Sequence, residues 1–207
     1  MVYFYTSQPT EYSAPHTLVA GKDKFENDVL IKYGYRELNY MWFHADKYSS
    51  GHIYLQLNET EKDLNDVPNE VVNDCLQLCK SESIQGNKLN QCLIVYTPWH
   101  NLRKNKYMKP GEVSFKSMKV VKKLECFSRD NKALNRLMKT RVEIIDGVEE
   151  LLYQAKKSKD PKFFQNYLSI NKERLILEEK ERKTAKKQKK KKKEEDVQEQ
   201  LVIETEL

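Results

Sequence analysis

No run of about 18 apolar residues occurs in this chain, so a membrane-spanning helix is not expected. The opening MVYFYTSQPTEYS lacks the basic start and long apolar core of a secretory signal. Cysteine is sparse: Cys75, Cys79, Cys92 and Cys126 are too few to staple 207 residues. A reduced, cytoplasmic protein is the expectation. Glycine numbers only 6, and none stands in the G-x-S-x-G elbow of a hydrolase. Apolar residues themselves vanish near the end. Lys180–Lys193 holds ten basic residues and one acidic residue, with Ala185 as its lone apolar member. A coiled coil needs a sustained apolar seam, which this segment lacks. It should be a solvated single helix or a disordered basic tail.

What the chain does have is charge, unevenly placed. Residues 1–128 carry 16 Lys and Arg against 15 Asp and Glu, whereas residues 129–207 carry 21 against 16. This divides the chain into a domain over 1–128, a helical extension over 129–171 and a Lys/Glu-rich tail over 172–207. The unbroken run Lys189, Lys190, Lys191, Lys192, Lys193 suits any polyanion and can also act as a nuclear-localisation signal.

Within 1–128 the spacing predicts an α/β (α+β) domain, a single mixed or antiparallel sheet with two packed helices. Val2–Thr6 and His16–Ala20 read as short strands. Asp23 can cap a helix to Tyr33, with Phe25, Val29 and Tyr33 as its apolar stripe and Gly34 as a left-handed stop. Tyr40–Ala45 and His52–Leu57 are aromatic strands broken by Ser49-Ser50-Gly51. On the first of these, alternation places Trp42 and His44 on one face and Phe43 on the other. Pro68 opens a helix over Asn69–Lys80 whose Val71, Val72, Cys75, Leu76 and Cys79 share one face. Gln91–Thr97 reads as a central strand, and Glu112–Phe115 and Ser117–Glu125 as the last two. A helix over Asn131–Glu143 should then leave the domain.

Several features could carry chemistry. His44, Asp46, Ser50 and His52 supply the residue types of a triad, but without a nucleophile elbow. They lack the third and fourth ligands of a metal site, so no cofactor and no metal is expected. Cys75 and Cys79, four apart on an apolar helical face, read as core residues. Between Asn101 and Lys123, eight Lys and Arg residues stand against Glu112 alone, whereas Asn58–Glu82 carries seven acidic residues and two basic. A polarised surface with aromatic and imidazole groups nearby suits a phosphate backbone and exposed bases. A solvated charged face is the plainer alternative.

Five blocks, in order, resemble the NFACT-R family. They are G-K-D-K-F-E-N-D-x-L at Gly21–Leu30, W-F-H through S-G-H at Trp42–His52, V-Y-T at Val95–Thr97, Arg103-Lys104, and K-P-G-E-V at Lys109–Val113. Together with S-I-Q-G and V-Y-T-P-W, the first block is similar to the free-standing branch of that family. The resemblance implies an α/β domain without known catalysis, proposed to bind RNA, and in larger relatives the tRNA-contacting part of a ribosome-associated factor. Carried over by position, the candidate contacts are Lys22, Lys24, Asn27, His44, Ser50, His52, Arg103 and Lys104, with Lys106 and Lys109 on the same basic loop. Lys22 and Lys24 would hold phosphate where helix amides are free. Asn27 and His52 would meet a base edge or ribose hydroxyl. The expected partner is RNA, tRNA or ribosomal. An adaptor docking acidic protein, a membrane surface or DNA is the alternative.

Overall fold

The computed structural model describes Met1–Thr205, with side chains through Glu195, so the last two residues of segment 172–207 lie outside the described residues. Strands β1 (Val2–Ser7) and β2 (His16–Gly21) pair antiparallel, with Val2 opposite Gly21 and Ser7 opposite His16. Strands β3 (Tyr40–Ala45) and β4 (Ile53–Gln56) pair likewise across the Ser/Ser/Gly break, and β5 (Cys92–Pro98) lies on the other side of β3. Strands β6 (Leu102–Arg103) and β7 (Ser114–Phe115) form a small separate sheet. Strands β8 (Lys122–Cys126) and β9 (Val142–Ile144) are the edges of the main sheet. Its order is β8-β5-β3-β4-β2-β1-β9, antiparallel at every pairing.

The alternation along β3 decides what each face does. Met41, Phe43 and Ala45 point into the main core, together with Leu18, Ile53, Leu55 and Ile94. Helix α2 (Asn69–Ser81) closes that core with the stripe read from its spacing, Val71, Val72, Cys75, Leu76 and Cys79. Each such side chain contributes about 1.5–3 kcal/mol by leaving water. All four cysteines are free and buried. Burial pushes the Cys79 thiol up to about 12 and that of Cys126 to about 11, so both pack as small hydrophobes. Trp42, with Tyr54 and Thr97 opposite it in register, lies on the other face. Leu30 and Tyr33 of helix α1 (Lys24–Tyr33) sit beside Phe4, Val19 and Tyr40 on that side.

The α+β class stands, with the sheet wholly antiparallel, but more helices pack on it than two. Helix α3 (Asn131–Thr140) does not leave the domain. It buries Ala133, Leu134 and Leu137, then the chain turns into β9, which pairs with β1. Val142 and Ile144 are buried there, but a three-residue strand is too short for its alternation to stand out in sequence. Helix α4 (Val148–Ser158) follows, and helix α5 runs over Phe163–Thr205. Residues 1–169 form one compact unit, and a second begins at Ile170. In the second, Lys190–Glu194 and Lys191–Glu195 lie 3.5 and 3.6 Å apart one turn on, each pair adding a few tenths of a kcal/mol.

Four local readings change. Helix α1 buries Asn27 and Leu30, while Phe25 is 60% exposed. Gly34 is not left-handed, at φ −58° and ψ 150°. Its missing side chain makes room for the Trp99 indole, which a Cβ would overlap. Ser117 caps a single 3-10 turn over Met118–Val120, so the last long strand starts only at Lys122. Strand β5 is interior yet off-centre, one place from the edge.

Candidate nucleic-acid interface

Where the start of α1 meets the β3–β4 turn, the surface opens into a cavity of about 470 Å3. Lys22, Lys24, Asn27, His44, Ser50 and His52 all line it, along with Gly21, Asp23, Phe25, Ser49, Gly51, Glu82, Pro110 and Gly111. Three of the sequence blocks converge here because β2 delivers the chain to α1 beside the β3–β4 turn, and residues 110–111 fold across.

The cavity rests on a ring cluster. Trp42 stacks on His44 with centroids 5.6 Å apart and meets His52 and Phe115 edge-on. The Trp42 indole N–H donates to His52 Nδ1 at 3.0 Å. An indole nitrogen can only donate, so Nδ1 is unprotonated and Nε2–H donates to the Gly111 carbonyl at 3.0 Å. Desolvation, helped by His44, pushes His52 down to about 3, and the ring stays neutral. Both nitrogens are therefore engaged. His52 ties β4 to the 104–112 loop and has no edge left for a base or ribose, contrary to expectation.

Ser50 is also structural. Its hydroxyl accepts from the Ala45 amide at 2.9 Å and donates to the Gly51 carbonyl at 3.0 Å, fixing the turn. Lys104 behaves the same way. Its ammonium reaches Asp28 at 2.9 Å and the carbonyls of Lys109 and Glu112 at 2.7 and 2.9 Å. Asp28 also accepts from the Gly111 amide at 3.0 Å. Gly111 itself sits at φ +81°, a conformation that favours glycine. Lys104 thus latches the loop to α1 and does not present a free charge. Asp28 and Gly111 were missed as functional positions, and nothing local in the sequence marks their pairing across 83 residues.

Other groups remain available. His44 Nδ1 bonds the Ala45 carbonyl at 2.8 Å, and burial lowers its pKa, so the ring is neutral with Nε2 as an acceptor. Asn27 is not among them, since it is buried and its Oδ1 is closed off from solvent without a hydrogen-bond partner. The expected phosphate seat on free α1 amides is not there, because Asp23 accepts from the Phe25 and Glu26 N–H groups at 2.9 and 3.2 Å. Lys24 Nζ lies 5.3 Å from the centre of the exposed Phe25 ring. Phe25 is the residue that sequence reasoning consigned to the core, although an aromatic one place past a lysine at a helix start is a visible signal.

The basic loop divides in two. Lys123 pairs with Asp46 at 2.7 Å, and Lys116 bonds the His100 carbonyl. Among the described residues, Arg103, Lys106 and Lys109 have no carboxylate partner and are exposed, as are Lys22 and Lys24 at the cavity mouth. The chemistry is therefore a polar hollow with Asp23 and Glu82 in its lining, and with unpaired cations at its mouth and on the neighbouring loop.

A family model described as "NFACT protein RNA binding domain" matches residues 1–117. The chain belongs to this family. Among relatives of this NFACT domain, Protein JLP2 of Saccharomyces cerevisiae is 67% identical over 180 residues, 87% of this chain and 86% of that protein. Coiled-coil domain-containing protein 25 of Bos taurus is 46% identical over 149 residues, 72% of this chain and 70% of that protein. Among solved structures, the C-terminal part of the fibronectin/fibrinogen-binding protein from Streptococcus suis shares the fold at a TM-score of 0.51 and 21% identity. That match covers 65% of this chain and 47% of that one. The family match takes in every block that forms the cavity, from Gly21 to Gly111.

Proposed function

We propose that this chain is a non-catalytic RNA-binding module whose partner is a structured RNA of the translation machinery, tRNA or ribosomal. Membership of the NFACT RNA-binding family supports RNA as the ligand class. The observation that carries the reading is the division among the cations. Lys104 and Lys123 are held by carboxylates, whereas Lys22, Lys24, Arg103, Lys106 and Lys109 have none among the described residues. Charges free of internal partners are the ones that displace counterions from phosphates. The neutral tautomers of His44 and His52 suit a surface that holds a ligand and moves no proton.

The test is charge reversal at Arg103 and Lys106, read by tRNA binding across a salt series. The double variant should melt like the native chain. The slope of log affinity against log salt should fall by about 1.4–1.8, close to 0.7–0.9 for each lost phosphate contact. Unchanged affinity and slope with native melting would count against the reading. The exposed lysine run of α5 supports a second reading, an adaptor that holds an acidic protein or DNA through that helix. It requires binding to survive loss of the domain's cations and to vanish when Lys189–Lys193 are neutralised.

A further inference from the structure

We propose that the free edge of strand β8 pairs with the same edge of a second copy of this chain, antiparallel about a two-fold axis at Leu124, so that one sheet runs through a homodimer. This goes beyond the RNA reading and does not rest on it.

The backbone fixes which residues can bond. The Asp46 amide donates to the Leu93 carbonyl at 2.8 Å, so the N–H and C=O groups of Leu93, Val95 and Thr97 on β5 are the ones turned toward β3. Those of Cys92, Ile94 and Tyr96 then turn the other way, to Cys126, Leu124 and Lys122 of β8. What remains on β8 is the N–H and C=O of Lys123 and Glu125. They face outward and meet no partner among the described residues. The opposite edge of the sheet differs. All three residues of β9 are buried, whereas Lys122, Lys123 and Glu125 of β8 are exposed.

Charge then selects the register. A two-fold pairing centred on Lys123 sets lysine against lysine, and one centred on Glu125 sets glutamate against glutamate. Centred on Leu124, Lys123 lies across from Glu125 of the second copy, twice over by symmetry, and the outward backbone groups of these residues meet. Opposite charges directly across a ladder stabilise it, and like charges do the reverse. The axis also brings Leu124 against its own copy at a position without ladder bonds, where side chains approach most closely. Leu124 already packs on the main core, so the two cores would join there. Lys123 keeps its 2.7 Å pair with Asp46, because an ammonium has three N–H groups to share.

The flanks are bare and apolar. Phe127 is 61% exposed and in this register faces Val121 of the second copy, while Leu93, in line with Glu125, is 40% exposed. An exposed strand edge beside such side chains is a template for another strand. Lysines alone would guard it, but Glu125, two places from Lys123 on the same face, supplies the charge that answers them.

The test is the oligomeric state of the full chain by sedimentation equilibrium. Strand β8 has five residues, a small interface, so the series runs from about 10 μM to about 1 mM. The native chain should be largely dimeric at the upper end. Glu125→Lys, which sets lysine against lysine, should weaken association roughly tenfold, and Lys123→Glu should do the same with glutamates. Mixed in equal amounts, the two variants oppose unlike charges at both positions and should associate again. Leu124→Cys gives a readout that needs no charge and covers the case of a reversal that fails to fold. Across the axis its Cα atoms would lie about 4.5 Å apart, within disulfide reach. Oxidised glutathione should crosslink it, whereas Tyr12→Cys, at an exposed turn, should stay monomeric, and the native cysteines are buried. A monomer at about 1 mM would overturn the proposal and leave the edge to a strand of another protein. A dimer indifferent to both charge reversals and not trapped by Leu124→Cys would overturn it as well, since the contact would lie elsewhere.

Discussion

Acidification should loosen this domain through one residue, His52, and the size of the effect can be worked from its contacts. In the folded chain His52 Nδ1 accepts the Trp42 indole N–H and Nε2–H donates to Gly111. A second proton on Nδ1 would set two N–H groups against each other, and burial already pushes the pKa from 6.5 down to about 3. The unfolded chain takes up that proton near 6.5. Between these values the unfolded state binds more protons, so the His52 contribution is fully present above pH 6.5 and is lost as the pH falls toward 3. At pH 5 the gap is about 1.5 pH units, or about 2 kcal/mol at about 1.36 kcal/mol per unit. Urea unfolding of the native chain and of His52→Asn, each at pH 7 and pH 5, isolates the contribution of His52. Glu82 and the other carboxylates titrate in both proteins and cancel in the difference. The stability gap between native chain and variant should narrow by about 2 kcal/mol at the lower pH. A gap of constant size would refute the tautomer assignment.

Further outcomes follow from the same contacts. Lys104→Met should lower stability by about 1–3 kcal/mol in urea unfolding, because it strips a charge partner from Asp28 and two carbonyls. Arg103→Glu should leave stability within about 0.5 kcal/mol of native while weakening RNA binding. Gly34→Ala should cost about 1–3 kcal/mol, seen as a lower melting temperature, because its Cβ meets the Trp99 indole at a backbone conformation any residue can adopt. Gly111→Ala should cost a similar amount for a different reason, its positive φ, and should also loosen the loop that His52 and Asp28 hold.

The sequence made the frame of the domain legible where patterns were long. The α2 stripe and the division of β3 into Phe43 on one side and Trp42 with His44 on the other came from periodicity, and the Asp23 cap from residue type and spacing. Periodicity failed where elements were short or the burial was polar. Strand β9 offers three residues, and α1 buries Asn27 in place of Phe25, an inversion no hydrophobic pattern could announce. In the site, residue types pointed to the right place but not to the right roles. The family resemblance marks His52, Ser50 and Lys104 as ligand contacts by position. His52 and Lys104 reach partners in other blocks, Gly111 and Asp28, while Ser50 bonds Ala45 and Gly51 and Trp42 bonds His52 within one block. Only long-range geometry separates a latch such as Lys104 from a free cation such as its neighbour Arg103.

The most direct measurement of the central claim compares tRNA with duplex DNA across a salt series, for the full chain and for a variant with Lys189–Lys193 changed to Gln. If the domain reads RNA, the variant keeps its preference for tRNA and retains affinity at high salt. Loss of all binding in the variant, or equal and steeply salt-dependent binding of both polymers by the native chain, would contradict it and leave the lysines of α5 as the whole signal.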